Sequence, residues 1–371
     1  MNKYEHNFGA RALGGNDSPK RRLVWGGVAF FLMSTFMAAC NCSSDADADE
    51  TTMGAGDETT LLDGAAGDGA ADGAGASSGD GNGFGTTSGE GGEDDGCAAV
   101  DFLFIVDNSV SMRDQQAALI ASFPSFMQTI ESTLETSDYQ IMVVDTDDVT
   151  RCTPSNCTSG ADRAHELCDE MGNYACTTTF GACDNTIGAG VVHPAGDGAS
   201  NRVCSLVGGN RYIVEGETDL AGTFGCMAQV GLAGHRRERP MDALVAAMAP
   251  DINAAGGCNE GFLRDEAILV VTFISDDENV EDAGMPQDWY DAVVTAKGGN
   301  EDSVVVLGLI PPGTDTGDCG PERAGRHWSE FIDLWGDRGL EASICSEDYD
   351  PFFQSAVAVI DETCEEFEPP R

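Results

Sequence analysis

The stretch Asp101-Phe-Leu-Phe-Ile-Val-Asp107-Asn-Ser109-Val-Ser111 decides the fold. Its unbroken apolar run, Phe102 to Val106, predicts a strand buried on both faces, as in a parallel sheet, because a half-exposed strand would alternate. The run stops abruptly on oxygen-bearing side chains. Asp107, Ser109 and Ser111 alternate, so an extended or turning backbone aims all three toward one point just past the strand's end. In open α/β sheets that is where ligands bind.

Working outward, Leu119, Phe123, Phe126, Met127, Ile130 and Leu134 recur at three-and-four spacing and predict an amphipathic helix within Met112 to Glu135, which Pro124 is expected to kink or split. Asp138 to Asp145 reads as a second strand. A strand, helix, strand order at this spacing implies a parallel sheet. Arg211 to Val214 is a short regular stretch, and Ala267 to Ile274 is another buried strand, ending on Ser275-Asp276-Asp277-Glu278. Ser303 to Ile310 and Leu340 to Cys345 complete the strands. Helices are expected over Asp219–Val230, from Pro240 through Met248, and over Glu281–Lys297, Trp328–Trp335 and Phe352–Phe367. The fold class is therefore α/β, a doubly wound, mainly parallel sheet flanked by helices.

The amino-terminal part has a different character. Lys20-Arg21-Arg22 precedes an apolar run from Leu23 to Ala39, the pattern of a secretory signal over residues 1–39. An uncleaved membrane anchor is the alternative, since the run reaches the low end of a spanning length. Either reading places the chain beyond Cys40 outside the cytoplasm. Residues 43–96 hold fourteen Asp or Glu and no Lys or Arg among Gly, Ala, Ser and Thr. Such a segment cannot bury enough apolar surface to fold and is expected to be a solvated tether, about 40 Å from end to end as a Gly-rich coil. The folded part is then 97–371.

Charge narrows the function. The chain carries a formal net charge of -45, and within 97–371 there are 48 acids against 14 bases. That field argues against nucleic acid and against electrostatic binding to anionic lipid, and it attracts divalent cations.

From about 148 to 210 periodicity disappears and cysteines accumulate. Setting aside Cys40 and Cys42, twelve remain: Cys97, Cys152, Cys157, Cys168, Cys176, Cys183, Cys204, Cys226, Cys258, Cys319, Cys345 and Cys364. Their even number in an exported chain, with no tight C-x-x-C pair, predicts disulfides rather than zinc. Pairing does not follow from spacing, although Cys97 and Cys364 flank the domain and are candidates for a closing bridge.

Together these residues give 97–371 a resemblance to the von Willebrand factor A domain. It rests on Asp107-x-Ser109-x-Ser111 after a buried first strand, the alternating strands and helices, and Ser275-Asp276 after a later buried strand. Met37-Ala38-Ala39-Cys40 resembles a bacterial lipobox, and the signal, tether and Cys-rich insertion look like the exported lipoproteins of that family, with Cys40 lipidated. The resemblance implies a metal-ion-dependent adhesion site formed by Asp107, Ser109, Ser111 and Asp276. All-oxygen ligands of this kind suit Mg²⁺, or Mn²⁺ or Ca²⁺. The implied partner is a protein or peptide that offers an acidic side chain, and the implied location is the bacterial cell envelope, on the periplasmic or cell-surface side, with membrane contact through the lipid anchor.

One feature departs from the family. The loop before its third helix usually supplies a threonine, and Gly231 to Pro240 contains none. Thr223 upstream and Glu238 within the loop are the substitute donors. An envelope scaffold with a vestigial site remains a second reading. A hydrolase is a third, with little behind it: there is no G-x-S-x-G, His165-Glu166 lacks the second histidine of a zinc-protease helix, and the five histidines are scattered. The expectation is a binder, not an enzyme.

Overall fold

Strand β1 (Val100–Val106) is fully buried along its whole length and lies between β2 (Tyr139–Asp145) and β4 (Ile268–Ile274), parallel to both. The computed structural model describes residues 98–134, 136, 138–147, 168, 174–234, 239–278, 281–311 and 325–370. The expected signal, Cys40, the tether, Cys97, Cys152, Cys157, Cys319 and Glu238 lie outside the described residues. Strand β3 (Ile213–Val214) joins β2 antiparallel, while β5 (Val304–Ile310) and β6 (Gly339–Ser343) continue the parallel set beyond β4. The six strands run in the order β3-β2-β1-β4-β5-β6. The chain therefore winds outward from β1 in one direction and returns to β4 to wind in the other.

Alternation along β1 sorts its side chains into two cores. Phe102, Phe104 and Val106 face a layer with helix α1 (Arg113–Thr133), α3 (Leu220–Ala228) and α8 (Asp350–Glu366), while Leu103 and Ile105 face α4 (Pro240–Ala247), α6 (Pro286–Ala296) and α7 (Arg326–Asp333). Two single-turn α-helices, α2 (Tyr174–Thr177) and α5 (Pro250–Asn253), and four three-residue 3-10 turns also occur among the described residues. On the first face Phe123 stacks on Phe224 with ring centroids 3.6 Å apart, and Phe104 meets both rings edge-on.

Of the two outcomes expected at Pro124, a kink or a split, the split does not occur. Helix α1 runs unbroken with Pro124 inside it. A proline there costs about 3 kcal/mol, whereas burying Phe123 and Phe126 on either side returns roughly 1.5–3 kcal/mol each. Phe126 also packs on Phe353 of α8, at 4.8 Å between centroids, so both halves of the helix are held against the same core. Elsewhere the strands and helices fall where the apolar periodicity puts them. Helix α6 starts later than its pattern, because Gly284 has a φ of 86° and Pro286 occupies the first turn.

The Cys-rich insertion is stapled to the sheet. Disulfides Cys183–Cys258 and Cys204–Cys226 join it to the segment before β4 and to α3. Cys168, Cys176, Cys345 and Cys364 are disulfide-bonded as well. Zn²⁺-type thiolate ligation is excluded for these eight.

At the opposite end of the sheet from the serine loop, Asp101 is fully buried and accepts from Arg264, whose Nε and backbone N lie 2.7 and 2.9 Å from its two oxygens. Burial pushes Asp101 up to about 6 in spite of the guanidinium, while Arg264 sits above its ordinary value because the carboxylates of Asp101 and Asp138 outweigh its own burial. The opposite balance in the two partners follows from geometry: burial is complete at Asp101 and partial at Arg264, and Arg264 has a second partner in Asp138. Removing one member of such a pair strands the other charge, at about 3–5 kcal/mol. Arg264→Met is therefore expected to destabilise the protein by that order at pH 7. With its folded-state value raised above that of the unfolded chain, Asp101 gains protons on folding as pH falls, and its penalty grows as pH rises through about 6. The deficit of Arg264→Met should accordingly shrink between pH 7 and pH 4.5, as read from urea midpoints of both proteins; a pH-independent deficit contradicts this account.

Candidate functional site

Val106 stands opposite Ile274 in the parallel register, so the loops that follow β1 and β4 leave the sheet side by side. The Asp107 N–H donates to the Ile274 carbonyl at 3.0 Å and carries the ladder one step past the strand. Asp107 is fully buried there. One carboxylate oxygen accepts the Ser109 N–H at 2.7 Å, closing the turn that redirects the chain, and the other accepts the Ser275 hydroxyl at 2.7 Å. Burial and the neighbouring Asp276 charge push the Asp107 carboxyl up to about 7, against the Ser275 and Ser109 hydrogen bonds. Burial likewise lifts Asp276, opposed by the hydrogen bond from Ser111.

The sequence-predicted oxygens converge. Ser111 Oγ donates to Asp276 Oδ1 at 3.0 Å, and the Ser109 and Ser111 hydroxyls are 3.3 Å apart. Two loops separated by 165 residues of chain thus present a continuous row of three oxygens, with Asp107 beneath it. Among the described residues no group of three or more His, Cys, Asp and Glu is placed to hold a metal ion. The candidate donors here are two carboxylates and two hydroxyls.

Of the two substitute donors, Thr223 belongs to a helix rather than to the third loop. Thr223 sits inside α3, about five residues and roughly 7 Å of helix rise before Ala228, and its backbone N–H serves the helix by bonding to the Asp219 carbonyl. Glu238 lies outside the described residues. The third loop, Gly231 to Gly234, contributes backbone only. Its Gly234 N–H donates to the Asn108 carbonyl at 2.9 Å, and a Cβ at Gly234 would stand 2.0 Å from Asn108 Oδ1. Glycine is required there by close approach rather than by φ. Thr146 at the end of β2 secures the same Asn108 side chain, donating at 3.2 Å.

Sequence reasoning missed Gln116. Its side-chain amide is buried between the first and third loops, with Nε2 donating to the carbonyls of Asp107 and Gly231 and Oε1 accepting from the Gly231 N–H. The signal was available. Gln116 precedes Leu119 by three residues and Phe123 by seven, so it lies on the apolar stripe of α1, where a polar side chain needs buried partners.

Other acids near the site have structural partners. Glu278 accepts the backbone N–H of His327 at the start of α7, and Asp282 accepts the first N–H groups of α4, from Met241 and Asp242. Beside Asn108 and Gly234, a cleft on the insertion side holds Asp145, Asp147, Asp184, His193 and Arg211. Asp184 there binds Arg211 at 2.5 Å and lies below its ordinary value; burial opposes that direction and the Arg211 hydrogen bond prevails.

No family model and no curated protein matches the chain. Among solved structures it is similar to proximal thread matrix protein 1 from the mussel byssus, crystal form 2, at 10% sequence identity and a TM-score of 0.36. That likeness covers 71% of this chain and 48% of the other, so it spans about half the length of the mussel protein.

Two substitutions probe the site's construction. Ser275→Ala leaves one oxygen of the buried Asp107 carboxylate unmatched and should cost about 1–3 kcal/mol in urea unfolding. Gly234→Ala forces the third loop away from Asn108 and should cost a similar about 1–3 kcal/mol. A midpoint unchanged in either variant would show that the loop contact it disturbs does not contribute to stability.

Proposed function

We propose that residues 97–371 form a von Willebrand factor A-type binding module that uses a divalent cation, Mg²⁺ or its relatives, to recognise an acidic side chain of a protein or peptide partner. The single observation that carries this reading is the oxygen row. In an octahedral Mg²⁺ site with bonds of about 2.0–2.1 Å, neighbouring ligand oxygens lie about 3 Å apart. The spacings along Ser109, Ser111 and Asp276, 3.3 and 3.0 Å, match that edge. The residues present therefore fit a small, hard cation with little rearrangement.

In this reading Ser109, Ser111 and Asp276 hold the ion. Asp107, with both oxygens engaged by Ser109 and Ser275, orients the row from beneath. A cation bound there supplies an electrophilic position that a partner carboxylate completes. The position at the carboxyl ends of β1 and β4, where the winding direction reverses, is the ligand-binding crevice of doubly wound sheets and supports the same placement. We further propose export and a lipid tether at Cys40, on the sequence pattern of the first forty residues, which would present the site outside the cytoplasmic membrane.

One observation favours the scaffold alternative. The third loop offers no side-chain oxygen among its described residues, and the hydroxyls and carboxylates of the row already satisfy one another. Calorimetry on the full chain separates the two. The binding module should take up one Mn²⁺ or Mg²⁺, and Ser111→Ala and Asp276→Ala should each abolish the heat while leaving far-ultraviolet circular dichroism unchanged. Absence of any heat at millimolar Mn²⁺ and Mg²⁺ would sink the cation reading and leave the scaffold.

A further inference from the structure

The third loop lacks the expected threonine, yet it is gripped more firmly than a solvated turn would be. On one side the insertion holds it, since Leu232 N–H donates to the Asp197 carbonyl at 2.7 Å, Ser200 N–H to the Gln229 carbonyl at 3.0 Å, and Gln229 Nε2 to the Gly198 carbonyl at 2.9 Å. On the other side stands Gln116, 3% exposed, whose amide forms two bonds with Gly231 in the pattern a neighbouring strand's peptide would use. The remaining N–H of that amide reaches the Asp107 carbonyl at 3.0 Å. Only a primary amide on a side chain of this length supplies two donors and an acceptor at once. A leucine matches the shape and supplies none, and a glutamate supplies acceptors facing two carbonyl oxygens.

The consequence concerns the first loop. Its backbone is fixed at the Asp107 N–H by Ile274, at the Asp107 carbonyl by Gln116 and at the Asn108 carbonyl by Gly234. Two of those three ties come from Gln116 or from the loop it holds. We propose that Gln116 is the positioning residue of the site. It locks the third loop to the loop carrying Ser109 and Ser111, so that a loop whose described residues donate no side-chain oxygen still sets the spacing of the oxygens that do.

This inference rests on the cation reading for its affinity arm and stands independently in its exchange arm. The test compares the wild-type chain, Gln116→Leu, Gln116→Glu and Met127→Ala, the last of which empties part of the same helix's core without touching either loop. Mn²⁺ affinity is measured by calorimetry, and amide hydrogen exchange over residues 229–234 is followed in protein freed of divalent cations. Loss of a group that orients metal ligands typically weakens binding 10–100-fold. Both Gln116 variants should lose Mn²⁺ affinity by that factor and should exchange faster at Gly231, whereas Met127→Ala should melt earlier with affinity and local exchange at wild-type values. Binding by Gln116→Leu within twofold of wild type overturns the proposal, and so does an equal loss in Met127→Ala. If the wild-type chain binds no Mn²⁺, the cation reading falls by itself. Exchange at Gly231 then decides: acceleration in Gln116→Leu alone upholds the role of Gln116 in holding the loop, and unchanged exchange removes it.

Discussion

Ser275 reaches across from the end of β4 to donate to the buried carboxylate of Asp107 at the end of β1. This bond locks together two loops that parallel pairing has already brought level, with Val106 beside Ile274. A register slip of one residue would send Phe102 and Phe104 into the core that Leu103 and Ile105 fill, so in a strand apolar on both faces it is side-chain size and packing that fix where the two loops meet. Nothing in the loops has to search for its partner. The convergence of Ser109, Ser111 and Asp276 is a consequence of strand pairing that was settled by Phe102 to Val106 on one side and Ile268 to Ile274 on the other.

Strand β1 begins and ends near a buried carboxylate, and the fold treats the two differently. Asp101 is met by the guanidinium of Arg264 and lies near Lys297, so the base of the sheet carries a compensated charge. Asp107 is met by a hydroxyl and backbone amide, with Asp276 as its closest charged neighbour. An ionised acid in such surroundings is expensive unless further positive charge arrives. One end of the strand is therefore built for stability, and the other keeps an electrostatic deficit on the face where its loops open.

Much of this was legible in the sequence. Unbroken apolar runs mark strands that are covered on both faces, and β1, β4 and β5 all obey. The oxygen residues at their ends were visible for the same reason, since a buried strand that stops on Asp, Ser and Ser has nowhere to place them except its carboxyl edge. The interior bonding was not legible. Gln116 is one polar residue in an apolar stripe, and only tertiary contact reveals that its partners are Asp107 and Gly231. Pro124 does not split its helix, because a local cost of a few kcal/mol is overruled by aromatic packing that involves Phe224 and Phe353, both more than ninety residues distant in the sequence. Thr223 is near the third loop in sequence, but the helix that carries it sets its position.

The insertion also shapes the sheet's outer margin. Strand β3 pairs with only Gln140 and Ile141 of β2, and beyond it the Val143 carbonyl is taken by the Val191 N–H of the insertion at 2.7 Å. The far edge, β6, is five residues long and places Glu341 on its outside, bonded to Ser329. Short, charged or covered edges deny a second chain the row of free amides and carbonyls needed for strand addition. Copies of this domain crowded side by side would therefore resist fusing through their sheets, and contacts between them would fall to helices and loops.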